Sequence, residues 1–186
     1  MTSPKMVAML ARMLRDLDRA EEIAQDAFVE ALTRWTETGI PDNPSGWLMT
    51  AARHRAIDAL RRARREGERN EALAHVLDDV TPAAFDETSD LVVEDDLLRL
   101  VFVACHPVLS EEARVALTLR LLCGLSAEEI ARAFLVPETT IAQRITRAKR
   151  TIAEQRIPFT LPSSEDLEAR LASVRTVVYL VFNAGY

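Results

Sequence analysis

The side chains best suited to chemistry in this sequence are amides, hydroxyls and guanidiniums gathered between Pro137 and Arg156. On a helix of about 3.6 residues per turn, Thr139, Gln143, Thr146, Arg147 and Arg150 share one face. Ile141, Ile145, Ala148 and Ile152 share the opposite one. The polar set can read base edges or grip phosphates, and the apolar set is a core stripe. Arg144 and Lys149 flank the polar face and suit a phosphate backbone. A second cationic stretch, Arg53 to Arg65, holds six Arg against one acid, Asp58. There Leu48, Ala52, Ala56, Ala59 and Ala63 fall on one side and Arg53, His54, Arg61, Arg64 and Arg65 on the other. Such a stripe matches a phosphate backbone, where each contact releases counterions. The plainer reading of both faces is a solvated helix surface, the basic one pairing with acids elsewhere in the chain.

Covalent chemistry has weaker support. Cys105 and His106 are adjacent, so on a helix they point about 100° apart and cannot act as nucleophile and base. Cys105 ends the apolar run LVFVAC and reads as core. With 3 His and 2 scattered Cys there is no metal-ligand spacing. The reading is no enzyme, no cofactor and no metal, with both thiols suited to a reducing cytoplasm.

Local punctuation gives the elements that must position these groups. Ser3-Pro4 starts a short helix to about Arg15. Asp18 with Glu21 reads as a capping box for a helix to about Trp35, striped by Ile23, Ala24, Ala27, Phe28, Ala31 and Leu32. Thr36 to Pro44 is a loop, bracketed by Trp35 and Trp47, which read as core. A helix follows from about Ser45 to Arg65. Ser89 caps a helix to about Cys105, and Ser110 one to about Cys123. Ser126 and Glu129 form a full capping box for a helix to Phe134. Leu135-Val136 is a turn without the glycine often found in a helix-turn-helix, and Pro137 opens the helix to about Arg156. Ser163 with Asp166 caps a last helix to about Phe182.

The chain has 186 residues, 48% of them hydrophobic, with only 5 Gly and 5% aromatic residues. Ala, Leu, Arg and Glu dominate, which favours helix and argues against a sandwich, a barrel or a Rossmann sheet. No apolar run approaches the roughly 20 residues a bilayer-spanning helix needs, and Arg12 and Arg15 interrupt any signal-peptide stretch. The net charge of -6 is misleading as a guide to partners. Residues 71 to 96 carry nine of the 29 acids and no Lys or Arg, leaving 23 basic against 20 acidic residues elsewhere. Local patches set an electrostatic footprint, not totals.

Three runs, in order, carry a resemblance: DRAEEIAQDAFVEAL (Asp18 to Leu32), GWLMTAARHRAIDALRR (Gly46 to Arg62) and LSAEEIARAFLVPETTIAQRITRAKRTI (Leu125 to Ile152). Together they resemble the two conserved domains of bacterial sigma factors. The pattern is closest to the extracytoplasmic-function group, which keeps only domains two and four. The resemblance implies an all-α chain of two small helical domains, 1–66 and 89–157, joined by an acidic linker, 67–88. Residues 158–186 begin a C-terminal helical extension. It implies cytoplasmic partners, core RNA polymerase and promoter DNA, with no membrane.

The implied roles follow the motifs. Asp18, Glu21, Glu22, Gln25, Asp26 and Glu30 would dock on the polymerase clamp helices. Thr38, in the loop that captures a flipped base, would meet the -10 element together with Arg53, His54, Arg61, Arg64 and Arg65. Thr139, Thr140, Gln143, Arg144, Thr146, Arg147 and Arg150 would meet the -35 element. His54 departs from the Asn of many relatives. RLASVRTVVYLVFNAGY (Arg170 to Tyr186) and AFLVPETT (Ala133 to Thr140) resemble a subgroup with a long helical C-terminal extension, so the chain reads as either truncated or a shortened member, and as starting late. An anti-sigma factor or the extension itself would be the regulator.

The competing reading is a stand-alone, dimeric helix-turn-helix regulator, in which the Asp18 to Leu32 helix would be plain core. Two physical expectations accompany the main one. The acidic tether competes with DNA for the basic surfaces. The last helix, rich in Val174, Val177, Val178, Leu180, Val181 and Phe182, docks on the second domain.

Overall fold

The computed structural model describes residues 3–67 and 90–183. The acidic segment read as a linker, its apolar cluster of Leu73, Val76 and Leu77, and the Ser89 cap all lie outside the described residues. The described residues form eight α-helices and no strand.

α1 (Pro4–Leu14) is buried without interruption from Met6 to Ala11. A helix apolar all round needs cover on every side, and α1 packs on α2 (Leu17–Thr38), α3 (Pro44–Gly67) and α4 (Asp90–Ala104). Arg15, in the left-handed conformation with φ 53°, closes it by donating its N–H to the Ala11 carbonyl. Ser3 takes the N-cap position without a side-chain hydrogen bond.

The start of α2 corrects the sequence reading. Asp16 is the N-cap: its backbone is extended and its carboxylate accepts the Arg19 N–H at 3.0 Å. Asp18 and Glu21 therefore form no capping box, and their carboxylates turn outward from α2 to other partners. α2 also runs on to Thr38, so the loop starts at Gly39, whose φ of 81° suits a residue without Cβ. Asn43 opens α3 by accepting the Gly46 N–H at 2.9 Å. A Cβ on Gly46 would sit 2.6 Å from the Asn43 side chain, so glycine is needed for that approach.

The second half is built on α5 (Glu111–Leu121), α6 (Ala127–Phe134) and α7 (Glu138–Glu154), followed by α8 (Leu167–Asn183). Ser110 caps α5 through the Ala113 N–H. α8 docks on α5 and α4, as its composition suggested. Only one stripe of it is covered, with Ser173 and Val177 buried and Val178, Tyr179 and Phe182 exposed. Its polar residues also serve α4: Arg170 donates to the Phe102 carbonyl at 2.6 Å and Ser173 to the Cys105 carbonyl at 2.5 Å.

The two halves share one hydrophobic cluster, running from Met6 and Leu10 through Leu100 and Val103 to Leu117, Ile130 and Ile141. Fully burying a side chain of this type contributes about 1.5–3 kcal/mol. On the α1–α4 seam, Asp96 is 1% exposed and accepts Arg12 Nε at 2.8 Å and Arg99 Nη1 at 2.8 Å.

Candidate nucleic-acid interface

α6 and α7 meet in a tight turn whose geometry depends on an unexpected residue. The capping box at Ser126 forms in full: Ser126 Oγ accepts the Glu129 N–H at 3.1 Å, and Glu129 Oε2 accepts the Ser126 N–H at 2.8 Å. The hydrogen bond from the Ser126 backbone N–H holds the Glu129 carboxyl below the usual glutamate range. At the other end, Val136 N–H returns to the Ala131 carbonyl and Leu135 N–H to the Arg132 carbonyl. That is the Schellman pattern, which ordinarily places glycine in the left-handed position. Here Leu135 adopts φ 53° and is 93% exposed. The same pattern closes α7, with Arg156 left-handed and Ile157 N–H on the Ile152 carbonyl.

The apolar stripe of α7 is where periodicity put it: Ile141, Ile145, Ala148 and Ile152 are buried against α5 and α6. Thr139, Gln143, Thr146, Arg147 and Arg150 are exposed on the other side, with Thr140 and Arg144 half-buried beside them. Two of the set are engaged locally. Thr146 Oγ1 donates to the Ala142 carbonyl, and Arg150 Nε holds Glu154 at 2.7 Å. Gln143 and Arg147 stand at the middle of the face with their polar ends in solvent. The arrangement can offer amide and guanidinium donors to base edges, and flanking cations to phosphates.

The first half brings its cations together less uniformly. His54, Arg61, Arg64 and Arg65 are exposed along α3, and Arg53 is half-buried. Arg55, between them in sequence, turns inward and ties α3 to α2, 2.9 Å from Glu30 and 3.6 Å from Asp26. Sequence reasoning gave Arg55 no role, and its stripe position offers no signal for one. Thr38 is not a loop residue: it ends α2, and its hydroxyl donates to the Arg34 carbonyl at 2.9 Å. Trp35 and Trp47 meet edge to face, ring centroids 5.6 Å apart, at the base of the loop.

The acids of α2 require a second correction. Glu21 is 5% exposed and cannot be offered to a partner in this arrangement. It lies between two cations of the second half, Arg120 Nε at 2.9 Å and Lys149 Nζ at 2.5 Å. Asp18 pairs with the same Lys149 at 2.7 Å. Burial alone would lower the Lys149 pKa, but hydrogen bonds to Asp18 and Glu21 outweigh it and hold the ammonium above the usual lysine range. Glu22 pairs with Arg19 on the surface, Gln25 lines an open groove facing α5 and α6, and Asp26 and Glu30 face Arg55.

Cys105 and His106 do not make a reactive pair. Burial pushes the Cys105 thiol up, and its Sγ lies 3.5 Å from Thr118 Oγ1. His106 Nδ1 instead accepts the Val108 N–H at 3.1 Å. Among the described residues no group of three or more His, Cys, Asp or Glu is placed to hold a metal ion, and no helix is long and apolar enough to cross a membrane.

Comparison with known proteins accounts for both halves. The sigma-70 region 2 family matches residues 2–66, and the sigma-70 region 4 family matches residues 99–152. The chain belongs to the sigma-70 family. Region 2 covers α1 to α3, so this sigma-70 chain is not a stand-alone helix-turn-helix regulator. Its relatives place it in the extracytoplasmic-function (ECF) group. It is 29% identical over 152 residues to the probable ECF RNA polymerase sigma factor SigI of Mycobacterium tuberculosis, covering 82% of the chain and 52% of that protein. Against the ECF RNA polymerase sigma factor SigK of Mycobacterium bovis it is 28% identical over 155 residues, 81% of the chain and 79% of that protein. An uncharacterized protein of Rhizobium meliloti is 45% identical over 184 residues, 98% of the chain but 44% of its own length. The sigma-70 chain thus spans about half the length of the Rhizobium and SigI relatives.

Proposed function

We propose that this chain directs core RNA polymerase to promoters, acting in the cytoplasm as a specificity subunit without catalysis of its own. The observation that carries the reading is the exposed Gln143–Arg147 face of α7, held outward by a buried isoleucine stripe on a helix matched by region 4. In this reading Gln143, Thr146 and Arg147 meet base edges of the -35 element, while Thr139, Thr140, Arg144 and Arg150 position the helix on the backbone. Arg53, His54, Arg61, Arg64 and Arg65 line the -10 strand, with Thr38 at the edge of the loop that takes a flipped base. Asp18, Glu22, Gln25, Asp26 and Glu30 belong to the face that docks on polymerase, joined by Glu21 once its cations let go. An anti-sigma factor or a segment following α8 is the regulator this reading calls for.

The test is run-off transcription with core polymerase on a genomic library. Arg147→Ala and Gln143→Ala should each cost about 1–3 kcal/mol of discrimination between promoters, with helical content unchanged because neither supports the core. Promoter choice unaltered by Arg147→Ala would remove the reading face from α7. A chain that fails to retain polymerase in a pull-down would remove the specificity-subunit reading altogether.

A further inference from the structure

The turn between α6 and α7 holds a leucine that does nothing for the fold. Leu135 sits in the left-handed region, φ 53° and ψ 40°, where a Cβ crowds the following carbonyl and glycine is the usual occupant. Packing within the chain does not offset that cost. At 93%, Leu135 is the most exposed large apolar side chain among the described residues. The apolar contact that this kind of turn needs is made by its neighbours, since Phe134 and Val136 pack against the core cluster. Strain kept at a position that the surrounding packing does not reward points to use by a partner.

Place and charge identify that partner. In a helix-turn-helix the first helix crosses the DNA backbone and the second enters the major groove by its N-terminal residues, so the turn between them comes to the edge of the groove. A phosphate contact there needs a cation, and the sequence supplies none. Between Arg132 and Arg144 the one charged residue is Glu138, exposed at the first position of α7. The cations of α7 begin at Arg144 and continue through Arg147, Lys149 and Arg150. A leucine close to an acid has nothing to offer a phosphate, but it can cover the 5-methyl group of thymine, the apolar group that the major groove presents. From this we infer that Leu135 is a further specificity-determining residue, which reads a thymine at the end of the -35 element entered by the N-terminus of α7. The inference rests on the proposed -35 role of α7. It also gives a reason for the missing glycine: glycine would make the same turn with less strain and leave that methyl group in water.

The test uses the full chain bound to core polymerase, on duplex promoters selected from the run-off library. Each thymine of the -35 element is replaced in turn by deoxyuridine, which removes the 5-methyl group alone. For the parent, one such replacement should weaken binding about fourfold, the worth of one covered methyl group. Leu135→Gly should abolish that difference without lowering Tm, so that misfolding cannot account for the loss. Leu135→Met, equally left-handed and still apolar, should keep it. Thymine and uracil bound equally by the parent at every position, or a difference that survives in Leu135→Gly, overturns the inference. If Leu135→Gly instead weakens binding to core polymerase without DNA and leaves the uracil effect as in the parent, the leucine serves a protein surface and the inference falls. Arg147→Ala separates this from the underlying reading. Should Arg147→Ala leave promoter choice unaltered, α7 does not read the element and Leu135 falls with it. Should it alter promoter choice while Leu135→Gly leaves the uracil effect unchanged, Leu135 alone is refuted.

Discussion

Asp96 is the position where one atom-level change should be felt across the whole molecule. Its carboxylate is 1% exposed, and it accepts from Arg12 across the α1–α4 seam and from Arg99 on its own helix. Asp96→Asn keeps the shape and removes the charge, leaving Arg12 facing a neutral amide while Arg99 keeps its pairing with Asp95. Breaking a fully buried pair costs about 3–5 kcal/mol. Here the Arg12 and Arg99 side chains are 30% and 25% exposed, and water reaching them lowers the cost. We expect about 2–3 kcal/mol, out of the 5–15 kcal/mol that ordinarily separates native from unfolded chains. For a chain of this length that is a fall of about 5–10 °C in Tm. Arg12→Met leaves Arg99 on the carboxylate and should cost only about 1 kcal/mol. Urea titrations followed by helical circular dichroism measure both. Equal losses for the two variants, or a loss under about 0.5 kcal/mol for Asp96→Asn, would refute the argument that the seam is organised around a buried anion.

Three further outcomes follow from local geometry. Ser126→Ala should cost about 1 kcal/mol of thermal stability. Because Ser126 holds the Glu129 pKa below its unfolded value, the stability from that carboxylate is present above the usual glutamate range and lost as pH falls through the lowered pKa of the folded chain. The gap between the parent and Glu129→Gln should therefore close on acidification, and a gap that widens would reverse the assignment. Leu135→Gly should raise Tm: relief of a left-handed leucine is worth about 1–2 kcal/mol, against about 0.4–1 kcal/mol of extra chain entropy in the unfolded state, and the exposed side chain has little packing to lose. A maleimide should label one thiol per native chain, the exposed Cys123, with buried Cys105 reacting only on unfolding; mass spectrometry of the adducts decides this.

The all-helical architecture and the α6–α7 pair were legible because their signals are local. The Ser126–Glu129 box and the Ile141, Ile145, Ala148, Ile152 period each sit within one or a few turns, and the structure repeats both. The start of α2 was misplaced because Asp16 and Asp18 are both competent caps. Backbone geometry, not residue type, selects Asp16. Chain reversals at Arg15, Leu135 and Arg156 carry no glycine, so nothing in the sequence marks their left-handed conformation. The ties between the halves were invisible for another reason. Arg12 with Asp96, Arg120 with Glu21 and Lys149 with Asp18 join residues far apart in the chain, and no periodicity links their partners. Arg55 shows the same limit on one helix: it is an arginine among exposed arginines, and the α2 acids Glu30 and Asp26 turn it inward.

The border of the region 4 match and the border of mechanical integrity do not coincide in the second half. The region 4 match stops at residue 152. Yet the carbonyls of Phe102 and Cys105, at an end of α4 where a helix has no partners of its own to offer, are satisfied by Arg170 and Ser173 of α8. Val177, at 0% exposure, fills the adjoining recess. An excised half ending at α7 would inherit the whole of α7 and still lose the closure of α4, exposing polar and apolar surface at one spot. The smallest fragment that keeps its shape should therefore run to Asn183, and α8 is better regarded as the missing last turn of α4, supplied from another place in the chain.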